Sequence, residues 1–203
     1  YVGANDSGSS SALLIDLMRF LALIRADLKN SKCNVIAVWF DGEESYLEGW
    51  NDGLYKNPSK IQDNTYGSRF FVNNLSMCKT GVKKCLSDEL GGYHIEYVIL
   101  MDMIGSHNLK LSYDLNSDPY LIQLLKQVLK NMQKEFVLSS TPTYIEDDHI
   151  PFVKAGIKAI NIIDFNNLKF WHNENDKISN ISYDSMELAG SIVWHLIYNL
   201  IKN

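Results

Sequence analysis

The sequence predicts an α/β domain in which a mostly parallel sheet is covered by helices on both faces. Three observations lead there. Short, near-continuous apolar runs recur at residues 34–40, 94–103 and 157–163. Long periodic segments at 11–28, 119–136 and 183–201 alternate with them. The connections are polar and rich in Asn, Gly and Lys. A strand covered on both faces reads as an unbroken apolar run, and strands alternating with helices are the pattern of parallel crossover units.

Residues 11–28 place Leu13, Leu14, Leu17, Phe20, Leu21 and Ile24 on one helical face, with cap candidates at Ser9, Ser10 and Ser11. The run NVIAVWF at 34–40 reads as a strand buried on both faces and ended by Asp41-Gly42. Residues 49–65 form a polar loop, 66–75 a helix and 78–92 a second polar loop. A further buried strand spans 94–103, with Asp102 near its C-terminal end. A short strand at 110–113, a strongly periodic helix at 119–136 and a short helix at 149–155 ending at Gly156 come next. A third core strand at 157–163 and a closing helix at 183–201 complete a single domain over residues 1–203.

A length of 203 residues suits one domain, or the larger part of one. With 46% hydrophobic and 21% charged residues the chain has the composition of a globular protein with a real core. A net charge of −5 without a basic stripe argues against a nucleic-acid partner. No apolar run approaches the roughly 20 residues that span a bilayer. The opening Tyr1-Val2-Gly3 reads as the inside of a protein, without a signal-type segment or lipidation motif. Cys33 reads as a small hydrophobe before a strand. Cys78 and Cys85 flank a polar turn, where a local disulfide and free thiols stay as alternatives. Sequons at Asn5, Asn74 and Asn180 carry little weight in so Asn-rich a chain.

The polar residues stand where open α/β sheets place their sites, at the carboxyl ends of strands. Asp41, Glu43 and Glu44 follow one apolar run, Asp102 ends the next, and Asp164 and His172 follow the third. Asp6 precedes a long helix in a Gly/Ser-rich turn. Oxygens from Asp6 and Glu44 with an imidazole nitrogen from His172 make a three-ligand set of the type that holds catalytic zinc and leaves a fourth position open. Glu43, next to a ligand, is the candidate general acid/base, because neighbours on an irregular turn can point differently and divide the two roles. Each feature also has a plain reading. Asp-Gly-Glu-Glu is commonly a solvated turn, Trp-His a packing pair, and Glu146-Asp147-Asp148 a surface patch or a charge cluster at a helix N-terminus.

The pieces GANDSG (3–8), FDGEES (40–45), YGSRF (66–70), ILMDMIG (99–105), EDDHIPF (146–152) and WH (171–172) come in an order that resembles glutaminyl-peptide cyclotransferase, of the zinc aminopeptidase-like clan with its twisted mixed sheet. The likeness runs over nearly the whole chain. It implies Asp6, Glu44 and His172 as ligands of one zinc per chain and Glu43 as general acid/base. Asp102 and Asp147 match acids that hydrogen-bond around it and around the leaving group. Trp50 matches an aromatic at the pocket mouth, one residue further from Glu44 than usual. Trp171 matches an aromatic wall and Glu146 a substrate contact. The implied reaction is cyclisation of an N-terminal glutamine of peptides or proteins to pyroglutamate with release of ammonia. A zinc aminopeptidase of the same clan, and a non-catalytic domain retaining the fold, are the rival readings.

Some positions depart from the family. Glu146 stands for the usual Gln, Ser11 for a cysteine of the family's disulfide, and Asn161 for a usual histidine near the pocket. The family has further strands, helices and a His-x-Asp-like segment before GANDSG, so a preceding segment or a partner chain is expected to complete the sheet. Passage through the secretory pathway is an implication of the resemblance alone.

Overall fold

Apolar periodicity sets the helices, and packing or capping sets their ends. The structure, a computed structural model, describes residues 2–25, 28, 31, 33–46, 62–77 and 94–202. After an irregular turn at Ala4–Ser9, helix α1 (Ser10–Leu23) buries Leu17 and Leu21. It stops at Leu23 and does not run to residue 28. Leu23 is 84% exposed, and a helix of this length is held by its packed face more than by propensity. Helix α2 (Tyr66–Met77) is followed by strands β1 (Tyr97–Asp102) and β2 (Leu111–Asp114). Helix α3 (Pro119–Asn131), strand β3 (Leu138–Thr143), helix α4 (Ile150–Lys154), strand β4 (Lys158–Ile163) and helix α5 (Tyr183–Lys202) complete the order.

Helix α3 is shorter than its periodic stretch because both ends are capped by local chemistry. The Asp118 side chain accepts from the Tyr120 and Leu121 N–H groups, and Pro119 occupies the first turn. At the other end Gln133 is left-handed (φ 57). The Gln133 N–H reaches the Lys130 carbonyl and the Lys134 N–H the Leu129 carbonyl, the bond pattern of a Schellman stop.

Among the described residues the strands pair as β1 with β4 and as β2 with β3, the second pair parallel. Strand β3, of sequence LSSTPT, was not among the predicted elements. It is polar and largely exposed, so hydrophobic patterning carries no trace of it. Strand β1 is half-buried along its length and so differs from the expected core strand, whereas β4 is buried from Ala159 onward. Residues 34–40 carry no strand, and Ile36, Val38 and Trp39 are exposed. A strand exists through its neighbours, and among the described residues none pairs with this run.

The chain divides into two compact units. The first comprises Tyr1–Val38, Ile99–Tyr144 and Ile160–Asn203. Its core gathers Ile104, Leu111, Leu121, Leu125, Ile162 and Leu196, and helix α5 packs on both α1 and α3. The second comprises Trp39–Val98 and Ile145–Ala159. There α2 packs on α4, and Phe40, Phe71 and Phe152 meet with ring centroids 5.4 to 5.9 Å apart around Val72 and Ala159. No described helix is long and apolar enough to cross a membrane. Trp50, Cys78, Cys85 and the bulk of both predicted polar loops lie outside the described residues, and Cys33 is a half-buried free thiol.

Candidate metal centre and acid/base loop

In the first unit the turn at Ala4–Ser9 presents Asp6, and hydrogen bonds along it account for the GANDSG sequence. The Gly8 N–H donates to the Gly3 carbonyl, the Ser9 hydroxyl to the Asn5 carbonyl and the Ser10 hydroxyl to the Ser7 carbonyl. The Asn5 side chain accepts from the Gly105 N–H at 2.7 Å and donates to the Ser106 hydroxyl, which ties the turn to the segment just after Asp102 and strand β1. The Asp6–Ser7 peptide is cis.

His172 comes to Asp6 from the other end of the chain. Its Nε2 stands 3.3 Å from Asp6 Oδ2, with both side chains partly shielded from solvent. Its backbone is left-handed (φ 53), a conformation that costs a non-glycine residue ~1–2 kcal/mol and is held here by the surrounding structure. The Trp171 ring stacks on the imidazole at 4.0 Å, and Phe165 meets Trp171 edge-on.

Two donors bound ~2.0–2.1 Å from a tetrahedral zinc stand about 3.3 Å from each other. The spacing of Asp6 and His172, and the mix of carboxylate oxygen with imidazole nitrogen, therefore fit two ligands of one divalent cation. Asp102 and Trp171 belong to the same unit, whereas Glu43, Glu44, Glu146 and Asp147 belong to the second.

In the second unit the loop carrying Glu43 and Glu44 hangs on the start of α2. The N–H groups of Thr65, Tyr66 and Gly67 donate to the carbonyls of Glu43, Gly42 and Asp41 at 2.8 to 3.0 Å. These are the orphan donors that every helix N-terminus carries. Thr65 is left-handed (φ 49), unusual for a β-branched residue, and it opens this set of donors. A Cβ at position 67 would stand 2.5 Å from the Asp41 carbonyl oxygen, so only glycine permits this approach. Asp63 adds a side-chain clamp: it accepts from the Ser45 hydroxyl at 2.8 Å and from the Tyr66 hydroxyl at 2.6 Å. The bond to Asp63 also pushes the Tyr66 phenol above its ordinary pKa. The Arg69 guanidinium binds the carbonyls of Gln62 and Asn64. The YGSRF stretch is thus a holder for the acidic loop as well as a helix start.

The same turn reaches the EDDH segment. Fully buried Ser68 donates to Asp148 at 2.5 Å, and the Asp148 N–H donates to Asp147 Oδ1 at 2.6 Å. Asp63, Ser68 and Asp176 were not among the sequence-derived candidates. Their work is to accept or donate to particular backbone and side-chain groups, and only the spatial pairing reveals it.

Burial pushes the Asp148 carboxyl up to about 6, opposed by the Ser68 hydrogen bond and reinforced by Asp147. Burial likewise pushes Asp164, at the end of β4, up to about 6. Both groups bind a proton more tightly folded than unfolded, so the native state holds extra protons between about pH 4 and pH 6. Their contribution to stability is fullest below that window and is lost as pH rises through it. Asp148→Asn is therefore expected to flatten part of the pH dependence. In urea titrations, wild-type stability relative to the variant should fall from pH 4 to pH 7, by roughly 1.4 kcal/mol per unit of displacement. A constant difference across that range would rule out burial as the source.

The model of peptidase family M28 matches residues 1–197. The glutaminyl-peptide cyclotransferase of Dictyostelium discoideum is 28% identical over 200 residues, covering 92% of this chain and 52% of that protein. The crystal structure of an Acidobacteriales bacterium glutaminyl cyclase has a TM-score of 0.75 at 30% identity, covering 100% of this chain and 63% of that one. A Zn-dependent exopeptidase from Parabacteroides distasonis shares the fold, with a TM-score of 0.71 at 21% identity over 97% of this chain and 63% of that one. The chain spans about half the length of the curated relatives it matches. A match over nearly every residue, on the fold and motifs described above, makes this chain a member of peptidase family M28.

Proposed function

We propose that the chain is the C-terminal, larger part of a single catalytic domain that cyclises the N-terminal glutamine of peptides or proteins to pyroglutamate and releases ammonia. The observation that carries the reading is the Asp6–His172 pair at ligand spacing under the Trp171 ring. The relatives at 28% and 30% identity, both glutaminyl cyclases, support it.

Asp6, Glu44 and His172 would hold one zinc ion per chain. Zinc held there supplies a Lewis acid for the side-chain amide carbonyl of the substrate. Glu43 takes a proton from the α-amine as its nitrogen attacks the amide carbon, and returns it to the departing nitrogen, which leaves as ammonia. Asp102 and Asp147 orient these proton transfers by hydrogen bonds. Trp171 walls the substrate and excludes water, which matters because cyclisation consumes none. Glu146 would offer a carboxylate to the α-amine, which attacks in its neutral form.

A second reading has its own support: the family is described as a peptidase family, and a zinc exopeptidase shares the fold. Metal content and product analysis separate the two. About one zinc per chain and ammonia from a Gln-initiated peptide establish the cyclase. About two metals, with free amino acids and no ammonia, establish an aminopeptidase.

A further inference from the structure

We infer that Asp176 is a positioning residue for the metal pair, which sets where Asp6 stands relative to His172. The inference rests on the zinc reading above. Asp176 is buried at 3% exposure, four residues after His172 in a chain segment of Asn and Lys. Its two carboxylate oxygens accept from consecutive N–H groups, Asn5 at 2.7 Å and Asp6 at 3.0 Å. Its own carbonyl accepts from the Ala4 N–H at 3.3 Å. Three successive peptide units ahead of and including Asp6 are thus fixed by one residue.

The geometry makes this a constraint on direction as well as a cap on the turn. Two parallel N–H···O bonds to one planar carboxylate define the orientation of the Asn5 and Asp6 peptides, and hence the Cα–Cβ direction of Asp6. The Asn5 side-chain amide in turn grips Gly105 and Ser106, so the turn is held by two separate segments. The segment from His172 to Asp176 is itself knitted: the Asp176 N–H donates to the Asn173 carbonyl, the Asn175 N–H to Asn173 Oδ1, and the Asn173 amide to the Trp171 carbonyl. One ligand therefore sits on this segment and the other hangs from it. Charge-assisted bonds out of solvent hold such a spacing stiffly.

The test uses the whole chain and zinc or cobalt(II) alone. In Asp176→Asn one oxygen becomes an NH2 group facing an N–H, so the double grip is lost. The expected result is zinc affinity weaker by about 10–100-fold, the range for groups that orient ligands, and an altered visible absorption spectrum of the cobalt(II)-loaded protein. Asp114→Asn is the control, because Asp114 is also fully buried and accepts from the Asn116 N–H and the Ser117 hydroxyl in its own turn at the end of β2. It is expected to lose stability while keeping zinc affinity and the cobalt spectrum. If Asp176→Asn does not fold, Asp176→Glu keeps both oxygens on a longer stem, and the same spectral change is expected. Zinc affinity and spectrum equal to wild type in the folded variant would overturn the positioning role alone. Wild-type protein that binds no zinc would overturn the metal-site reading and this inference with it.

Discussion

Glu43→Gln is expected to keep zinc bound and to lose turnover by roughly 10²–10⁴-fold, the usual contribution of a positioned acid/base. Glutamine has the shape of glutamate but cannot carry a proton between the amine and the leaving nitrogen. The backbone argues that the loop survives the change. Glu43 is held through its carbonyl by the Thr65 N–H, and its neighbours through Tyr66, Gly67 and Asp63, none of which uses the Glu43 side chain for these bonds. Metal analysis and an ammonia-release assay on one preparation check both halves. Full activity in the variant would show that another group moves the proton, while loss of zinc would show that Glu43 helps to hold it.

His172→Ala is expected to do the converse and remove the metal itself. Losing a direct ligand should weaken zinc binding by more than the ~10–100-fold typical of outer groups. The substitution removes the Nε2 that stands 3.3 Å from Asp6 Oδ2 and takes away the stacking surface of Trp171. Thermal unfolding with and without zinc separates the metal effect from simple destabilisation, because a ligand that binds only the folded state raises its stability. Wild type should gain stability from zinc and the variant should not. Equal gain in both would remove His172 from the ligand set.

The two apolar runs at 34–40 and 157–163 show how far sequence reaches. Both have the composition of covered strands, and β4 is one, its residues from Ala159 to Ile163 all buried. The other run reports only a tendency to be buried, and pairing is a property of neighbours that composition cannot display. Strand β3 is the reverse case, a ladder made from Ser, Thr and Pro whose existence depends on β2. Helix α3 was legible in position and not in length, because its stop lies in the left-handed backbone of Gln133, a residue with no glycine-like signature.

At the site, the types of the reactive residues could be read, since carboxylates after apolar runs stand out. Their partners could not. Asp176 looks like one more acid in a polar stretch, and Ser68 like an ordinary helix serine. Each matters through a single geometric relation, to two backbone N–H groups in one case and to Asp148 in the other. The pairing of Asp6 with His172 was legible in their residue types and places along the chain as well as in the family resemblance, and the 3.3 Å between them is what the structure adds.

The grip of Asp176 on Asn5 and Asp6 joins positions 171 and 170 residues apart. During synthesis at about 5–20 residues per second, Asp6 leaves the ribosome roughly 10–30 s before its anchor does. For that interval the N-terminal turn has no carboxylate to organise it and no imidazole beside it. The candidate metal centre therefore cannot form before the segment from His172 to Asp176 has emerged, and metal capture by this pair waits for that segment.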